Sequence, residues 1–507
     1  MKSIKFILLV SCCIQQLIAQ EVCVTIKSSK DSSSVEYVDI FILSTKKDYI
    51  SNKDGISCFS SNQEELLLIS HPDYFSQQVS VSTNKTIYLL PRHVELKASI
   101  ISDKKDDKEL APTFLRKVEK MFFYHGKKSE RIQLDQSKAN LATNNSRQIY
   151  GNVSGLNYIE TSSAGLGTEI GVRGLSPERS SNLNIRQNGY DISADALGYP
   201  DAYYVPPGES IERIESVRGA GALQYGTQFG GMINYIKKKA PINFKRIGYQ
   251  GYHTYGSYQF LNTYNSIYGR NGKGNFYAYG SYKKGNDWKP NSAFNSKNAY
   301  FQGELQLARR LLLNVEYTHF YYLTKQPGGL TDAMFENDPS TSIRDRNWFS
   351  VAWNLPSATL FYKPSPNREF QTKFFSLFAN RKALGFLGNI TRIDPLQERD
   401  YLLDKYQNFG NETKWLQRYT VKDKLNLSIL GIRVYRGNTV KQQGLANDLS
   451  GPDFYYLNPD SLEGSDYQFP SWNLALFGEN MIYLTNRLSI TAGLRSEYIK
   501  TTADGYY

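Results

Sequence analysis

The chain has 507 residues, with 60 Lys or Arg against 48 Asp or Glu, which gives a formal charge of +12. Its mean hydropathy of −0.49 excludes a bundle of transmembrane helices, because each such helix needs about 20 consecutive apolar residues. This value is compatible with a transmembrane β-barrel, whose strands alternate apolar and polar side chains. An aromatic content of 14% is too high for a disordered or coiled-coil chain.

Residues 1–20 carry the features of an export signal. Lys2 and Lys5 precede a short apolar run, and Ala19 supplies a small residue for cleavage. These features predict a secretory signal peptide, with a lipoprotein-type cleavage before Cys12 as the alternative. The chain is therefore expected to leave the cytoplasm.

Residues 21–91 alternate apolar and polar residues in short runs such as Val38–Leu43, separated by turn residues. This pattern predicts a small β-sandwich. Cys23 and Cys58 are too few for a disulfide framework or a zinc site, and they leave open one disulfide or two free thiols. In pattern, the region resembles the carboxypeptidase-regulatory-like domain that precedes the plug in many outer-membrane receptors of the Bacteroidetes type.

Residues 92–128 contain clustered charges of both signs, which is typical of a solvated linker. Within them lies an apolar, strand-like stretch, the coupling segment, which is a candidate for pairing with a strand of a partner protein. The alternative is that this stretch is the first strand of the next domain. The segment is represented by Val118, Met121, Phe122, Phe123 and Tyr124.

Residues 129–240 are dense in glycine and contain short strand-like runs, which predicts a small mixed domain. Four motifs follow in order, and together they resemble the plug of a TonB-dependent outer-membrane receptor. The motifs are Ile170–Leu175, Arg186–Asp191, Ile211–Gly219 and Gln224–Gly231.

A further stretch, Gly198–Pro207, resembles the branch of that family that includes the ferric citrate receptors. The resemblance to the family extends over about residues 115–507.

Residues 241–507 repeat an alternating pattern with many tyrosines. Leu311, Leu313 and Val315, for example, occupy one face of a strand, with Asn314 on the other. This pattern predicts a transmembrane antiparallel β-barrel of about 10–12 strands. The family that the chain resembles closes its barrel with about twice that number, so we expect an incomplete barrel and a fragment, with a truncated gene or a smaller barrel as alternatives.

The long extracellular loops of this barrel are predicted at Thr324–Asp345 and Gly437–Pro470. The overall fold class is thus mainly β, with an N-terminal β-sandwich, a small mixed α/β plug domain and a partial transmembrane barrel.

No catalytic constellation is evident. The five histidines are scattered, and the sequence lacks zinc-binding spacings, a nucleotide loop and a nucleophile elbow. We therefore expect no enzyme, no cofactor and no resident metal. Residues 241–507 hold 31 Lys or Arg and 22 Asp or Glu, an excess that suits an anionic ligand or lipopolysaccharide phosphates. The excess is spread along strands, which argues against nucleic-acid binding.

The plug motifs supply the candidate site residues. Arg173 and Arg218 match plug positions that, by the resemblance, anchor the plug to carboxylates on the barrel wall. Outward loops of the plug supply candidate ligand contacts, although hydrogen bonds inside the lumen are an equally open role. These candidates are Arg179, Arg186, Gln187, Tyr190 and Asp191.

The resemblance implies a receptor in the outer membrane of a Gram-negative bacterium. Such a receptor lies among outer-membrane lipid and imports an anionic iron chelate, such as ferric citrate or another siderophore. It is driven by a TonB-type periplasmic energy-coupling protein. The alternatives are an outer-membrane protein that binds ligand without transport, a truncated non-functional receptor, and a secreted β-rich enzyme.

Overall fold

A computed structural model describes most of the chain, and it divides into two units, Met1–Lys97 and Ala98–Tyr507. No helix within the described residues is both long and apolar enough to cross a membrane. The predicted signal peptide and most of the predicted linker fall outside the described residues. Those residues are 20–45, 47–61, 64–71, 73–91, 118–119, 121–124, 129–134, 137–151, 153–160, 162, 165–180, 182–194, 203–218, 223–226, 230–241, 246–421, 424–485 and 488–507.

The first unit is the predicted β-sandwich, with a three-stranded sheet in the order β4-β1-β7 and a four-stranded sheet in the order β3-β2-β5-β6. Alternate residues of its strands, such as Val24 and Ile40, fill one shared apolar core. The strands are β1 Gln20–Ser28, β2 Asp39–Ile42, β3 Lys47–Ile50, β4 Ile56–Ser61, β5 Glu65–His71, β6 Tyr74–Val81 and β7 Lys85–Leu89.

Cys23 and Cys58 lie directly opposite each other on β1 and β4 and form a disulfide. Of the two possibilities that the sequence leaves open, the structure therefore shows the disulfide.

The second unit begins, in its described part, with a hairpin of two very short strands, β8 Val118–Glu119 and β9 Phe122–Phe123. The predicted plug follows as a five-stranded sheet in the order β10-β15-β16-β13-β14, beside a hairpin of β11 and β12. Its strands are β10 Ser129–Gln133, β11 Leu156–Glu160, β12 Thr168–Val172, β13 Leu183–Gln187, β14 Tyr190–Asp191, β15 Ile211–Val217 and β16 Gly231–Lys237.

The plug sheet is mixed, because β13 runs parallel to β16 and the other pairs are antiparallel. A single α-helix turn, α1 Ser146–Tyr150, is capped by the Asn145 side chain. Gly231 opens β16 with φ +97°, and a side chain there would lie 2.0 Å from the Val217 carbonyl oxygen. The glycine of this motif is therefore required by the close approach of β15.

Residues from 247 onward form one antiparallel sheet in which each strand pairs with the next, from β17 to β27, and β28 pairs with β26. We call this sheet the wall. Its strands are β17 Ile247–Gly256, β18 Phe260–Asn271, β19 Gly274–Gly285, β20 Phe294–Ala308, β21 Leu311–Lys325, β22 Trp348–Ser365, β23 Arg368–Gly385, β24 Arg399–Val421, β25 Lys424–Ala446, β26 Ser465–Tyr483, β27 Ser489–Thr501 and β28 Asp504–Tyr506.

The wall has two different faces. Tyr300 and Gln302 on β20 are buried against the plug side, whereas Phe301 and Leu305 between and beyond them are 45% and 48% exposed on the outer face. Successive side chains of a strand point to opposite faces, so this alternation produces a polar, tyrosine-rich lumen and an apolar exterior. The predicted fold class is confirmed.

The two ends of the wall also differ. Short turns such as 272–273 and 366–367 close one end. The other end carries three long loops, which we number first (326–347, containing α2 Asp332–Asn337), second (386–398) and third (447–464). Short turns on one side and long loops on the other are typical of outer-membrane barrels.

The predicted loop Gly437–Pro470 is too long. β25 continues to Ala446 and β26 begins at Ser465, so only the third loop is irregular. The outer face of these strand ends, including Asn438, is more polar, so the apolar alternation that signals a strand is lost there. The sequence also gives no prediction of the second loop.

The outer face gives a test of the fold. Val315 lies within β21, four residues from its start at Leu311, and is 38% exposed outward. In a membrane, Val315→Arg should reduce folding stability by about 2–4 kcal/mol, since a cation would face hydrocarbon. Urea titrations of the folded band on heat-modifiable gels measure this loss.

Leu457→Arg is the matched control, because Leu457 is similarly exposed but lies in the third loop. It should leave the urea midpoint nearly unchanged. Equal losses for the two variants would show that the outer face of β21 does not contact lipid.

Candidate plug interface and vestibule

A hairpin of the plug presents two of the predicted site residues to the wall. β13 and β14 turn at Asn188 and Gly189, both with positive φ. Arg186 and Asp191 are directly opposite each other in this hairpin, so their side chains leave on the same face. The Arg186 side chain is fully buried, and its Nη2 lies 3.1 Å from Asp191 Oδ1.

Two wall residues complete a buried charge quartet of Arg186, Asp191, Glu412 and Arg433. Both terminal nitrogens of Arg186 donate to Glu412 Oε1 at 3.0 Å. Arg433, opposite Glu412 on the neighbouring strand, donates to the same oxygen at 2.7 Å and also to Asp191. Two cations and two anions cancel, which is the condition for keeping ionised groups buried.

Gln187 and Tyr190 belong to a second plug–wall cluster. Gln187 Nε2 lies 2.6 Å from Tyr190 Oη and donates to Thr318 Oγ1 at 3.0 Å, and Tyr204 donates to Gln187 Oε1 at 2.9 Å. Burial raises the pKa of Tyr190 well above its ordinary value, and the nearby Glu316 carboxylate raises it further. Tyr190 is therefore a neutral structural hydroxyl at physiological pH.

Lys237, the last residue of β16, is enclosed by wall tyrosines. Its Nζ donates to Tyr279 Oη at 2.8 Å and also to Ser210. It lies 4.6 and 5.0 Å from the ring centroids of Tyr279 and Tyr300. Burial lowers the pKa of Lys237 well below its ordinary value. The sequence gives no sign of this contact, because Lys237 simply ends an apolar strand.

The coupling segment lies against the wall near the paired ends of β24 and β25, Val421 and Lys424. Val118 pairs with Phe123 in its hairpin. Met121 and Phe123 are buried in an apolar cluster whose other members come from the wall. These members are Leu416, Leu427, Ile429, Phe477 and Met481.

Phe122 of the coupling segment contacts both the plug and the wall. Its ring lies 4.3 Å from the ring centroid of Tyr225 and 5.8 Å from that of Tyr124, nearly parallel to both. Lys414 Nζ lies 3.8 Å from the Phe122 ring centroid, a cation–π geometry. The segment is thus seated between plug and wall in this structure.

The two predicted wall anchors have different surroundings. Arg218 pairs with Glu130, which lies on β10 inside the plug, because β10 and β15 are neighbours in the same sheet. Arg173 lies exposed in a turn. Within the described residues neither arginine is paired with a wall carboxylate, and their role as wall anchors stays a prediction. The contacts that the structure shows between plug and wall include the charge quartet and Gln224, whose Nε2 donates to Glu479 at 2.6 Å.

On the side of the plug toward the long loops, a cluster of aromatic and charged residues forms the vestibule. The Tyr203 ring centroid is 5.9 and 6.0 Å from those of Trp353 and Phe349. The Arg381 guanidinium carbon is 5.9 Å from the Tyr203 ring centroid, and its Nη1 donates to Asp404 at 2.6 Å. Sequence reasoning misses Arg381, because it sits in an ordinary strand run without a motif.

Arginines also join the long loops to each other. Arg346, at the end of the first loop, donates to Asp394 of the second loop and, at 2.6 Å, to the Asp448 carbonyl of the third. Arg399 donates to the Gly451 carbonyl at 2.7 Å. Although partial burial opposes it, the hydrogen bonds from Arg346 lower the pKa of Asp394. An ion pair therefore joins the first and second loops, and hydrogen bonds to backbone carbonyls attach the third.

Of the predicted ligand contacts, Arg186, Gln187, Tyr190 and Asp191 come together at the plug–wall interface. The Arg179 side chain falls outside the described residues, although its backbone lies in a short 3₁₀ helix. No group of three or more His, Cys, Asp or Glu that could hold a metal ion is found in the described part of the chain.

Comparisons with known proteins add the family. Residues 129–232 match the family model of the TonB-dependent Receptor Plug Domain. A segment of 122 residues, 21% of this chain and 16% of the relative, is 34% identical to the ferrienterobactin receptor of Escherichia coli (strain K12).

The fold is also found in solved structures. The ferric citrate transporter FecA in the unliganded form has a TM-score of 0.64 and 20% identity, with 75% of this chain and 57% of that chain covered. The ferric-catecholate import receptor Fiu from K12 E. coli, in its closed form, has a TM-score of 0.57 and 14% identity over 75% and 57% of the chains. This chain thus spans little more than half of those structures.

These findings confirm several expectations. The fold is that of TonB-dependent outer-membrane receptors, which confirms the fold class and the outer-membrane location of the wall. The relatives are named as receptors and transporters, in agreement with a function other than catalysis.

The charge quartet predicts how the plug is held. Glu412→Gln leaves Arg186 and Arg433 with Asp191 alone, one buried positive charge in excess. It should destabilise the plug by about 3–5 kcal/mol. The urea midpoint at which proteases begin to cut the plug measures this.

The double variant Glu412→Gln/Arg433→Gln restores neutrality and should recover most of the loss. If the single and double variants were equally unstable, charge balance would not be what stabilises this interface.

Proposed function

We propose that this chain acts as a TonB-dependent receptor that imports an anionic iron chelate across the outer membrane. The observation that carries the proposal is a plug domain held against a barrel-type wall by a buried charge quartet. The plug lies against the lumen side of the wall, so in a closed barrel the passage of a solute would require the plug to rearrange. The outer membrane has no ATP, and energy for that change has to come through a partner.

The ligand class follows from the vestibule and the charge of the wall. Residues 241–507 carry nine more basic than acidic residues, 31 against 22. Arg381 and the aromatic ring of Tyr203 lie together in the vestibule. A guanidinium can bind a carboxylate with two parallel hydrogen bonds. Ferric citrate, the cargo named for one of the solved relatives, has this chemistry, and we propose it or a similar carboxylate siderophore as the ligand.

The predicted contact residues of the plug have a second role under this proposal. Arg186 and Asp191 are fully occupied in the charge quartet, so they would reach a ligand only after the plug moves. We assign first contact to the vestibule, where a ligand carboxylate would compete with Asp404 for Arg381, and the predicted plug residues would act later along the path.

We further propose that the coupling segment is where a TonB-type periplasmic protein engages. It lies near the short-turn end of the wall and offers strand β9, which pairs only with the two residues of β8 in the described part. A longer strand from a partner would replace this short pairing and gain main-chain hydrogen bonds.

The domain boundaries and the N-terminal unit are part of the same proposal. We assign residues 1–20 to a signal peptide, 21–91 to a carboxypeptidase-regulatory-like domain of the Bacteroidetes type, 92–128 to the linker, 129–240 to the plug and 241–507 to the partial barrel. The seven-stranded sandwich before the plug supports the second assignment.

Arg381 gives the test of ligand binding. Arg381→Gln should weaken ferric citrate binding by about tenfold or more, since a charge-assisted hydrogen bond contributes about 1.5–3 kcal/mol. Tryptophan fluorescence titration of the purified protein gives the affinity.

Arg368→Gln is the control, because Arg368 lies on β23 at its short-turn end. If both variants bound ferric citrate like the parent chain, the vestibule would not be the binding site for this ligand.

The coupling segment gives the test of transport. Deletion of residues 117–124 should abolish uptake of radioactive ferric citrate by cells and leave its binding intact, because the segment lies apart from the vestibule. Phe335→Ala, which alters an exposed ring on α2, is the control for uptake.

Loss of both binding and uptake in the deletion variant would contradict the assignment of the segment. Normal binding without uptake in the parent chain would favour a binding protein that does not transport.

A further inference from the structure

Three polar side chains of the wall have buried atoms on the lumen side that lack hydrogen-bond partners within the described residues. They are Asn408 on β24, Thr439 on β25 and Asn473 on β26, and we call them the inner patch. Asn408 and Thr439 are only 3% and 1% exposed. Because β24, β25 and β26 are neighbours in the wall, the three residues belong to one continuous surface.

The strand positions place the inner patch on the same face as the charge quartet. Asn408 precedes Glu412 by four residues on β24. Thr439 follows Arg433 by six residues on β25. An even spacing along a strand keeps side chains on one face, so both residues point toward the plug. Asn408 is opposite Gly437, which makes Asn408 and Thr439 diagonal neighbours, about 7–8 Å apart.

The missing hydrogen bonds concern both donors and acceptors. In the described part of the chain, neither Nδ2 nor Oδ1 of Asn408 is paired, and Thr439 Oγ1 is also unpaired. Asn473 donates to Glu497 at 3.3 Å, but its buried Oδ1 has no partner among the same residues. Within the described ranges, Asn408 is the one buried amide that has both polar atoms unpaired.

The surroundings of Asn408 make this arrangement unfavourable for stability. Its neighbour on β23 is Leu377, and Tyr406 precedes it by two residues on the same face. Both belong to the apolar cluster that also contains Ile192 of the plug. An unpaired polar group that is buried reduces stability, whereas an apolar side chain of similar size avoids this loss. A residue that lowers stability in this way is expected to serve a function.

The inner patch lies midway between the vestibule and the charge quartet. Along β24, Asp404, Asn408 and Glu412 follow each other at intervals of four residues. Each interval corresponds to about 13 Å, at a rise of about 3.3 Å per residue. Arg381 donates to Asp404 in the vestibule, and Arg433 donates to Glu412 in the quartet. An anion that moved along β24 would therefore meet a guanidinium, the neutral inner patch and a second guanidinium in turn.

We propose that the inner patch is a transit site for the oxygen atoms of a hydroxycarboxylate chelate. Asn408 Nδ2 and Thr439 Oγ1 donate to a carboxylate oxygen, and the Oδ1 atoms of Asn408 and Asn473 accept from a hydroxyl group. Neutral hydrogen bonds are weaker than those from arginine, so the patch holds the ligand without trapping it. The inference rests on the proposed function and adds a binding site that is separate from the vestibule.

Uptake by cells tests the transit site, with Asn408→Leu as the first variant. Leucine removes both unpaired atoms at a similar volume, so the urea midpoint should equal or exceed that of the parent chain. The maximal rate of radioactive ferric citrate uptake should fall about tenfold, because the ligand loses two neutral hydrogen bonds on leaving the vestibule. The affinity measured by tryptophan fluorescence should be unchanged, because the vestibule is intact.

Thr439→Val is the second variant, and it keeps the test valid if Asn408→Leu folds poorly. It preserves the shape of the side chain and removes one donor, so the maximal uptake rate should fall about threefold. Gln407→Leu is the matched control, because Gln407 is adjacent to Asn408 but is exposed on the outer face of β24. It should import ferric citrate at the rate of the parent chain.

Two results would overturn the transit site alone. Normal maximal uptake by both Asn408→Leu and Thr439→Val would leave ordered water as the only occupant of the inner patch. A loss of equilibrium affinity as large as the loss of uptake rate would assign these residues to first contact.

Failure of the proposed function gives a different result. A parent chain that binds ferric citrate without importing it would contradict the proposed transport, and the transit site with it.

Discussion

The buried contact between Arg186 and Glu412 is the interaction on which the rest of the second unit depends. It joins two residues that are 226 positions apart, one on a plug hairpin and one on a wall strand. Burying either charge alone would cost several kcal/mol, so the plug and the wall each supply what the other needs. Asp191 and Arg433 complete the balance and fix which side of the hairpin faces the wall.

A neutral, fully paired interface has a consequence for function. A plug held only by apolar contacts would separate from the wall as its apolar surface is gradually exposed. A charge quartet instead opposes separation until water or a ligand replaces the ion pairs of its four side chains. The Lys237 contact and the Gln224–Glu479 hydrogen bond act in the same way at other points of the interface. These polar contacts hold the plug against the wall at several separate points.

The wall meets two environments, and its side chains differ accordingly. Toward the plug it presents tyrosines and charged groups, and on its outer face it presents apolar side chains such as Phe301 and Leu305. The alternation of the strands makes this possible, because a single strand serves the lumen and the membrane with successive residues.

The sequence by itself determined the element types. Alternation in residues 241–507 indicated the antiparallel wall, and the ordered glycine motifs indicated the plug, because both depend on local spacing. Where the alternation of apolar and polar residues is lost the predictions fail, as at Gly437–Pro470, where the strands continue with a more polar outer face.

Only the tertiary structure decided which side chains meet. Arg218 pairs with Glu130 in a neighbouring plug strand, and Arg186 pairs with Glu412 across the interface. Arg381 contacts the Tyr203 ring in the vestibule. Such pairs depend on strand register and on the position of the plug against the wall, and residues 88 to 226 positions apart form no local pattern that would predict them.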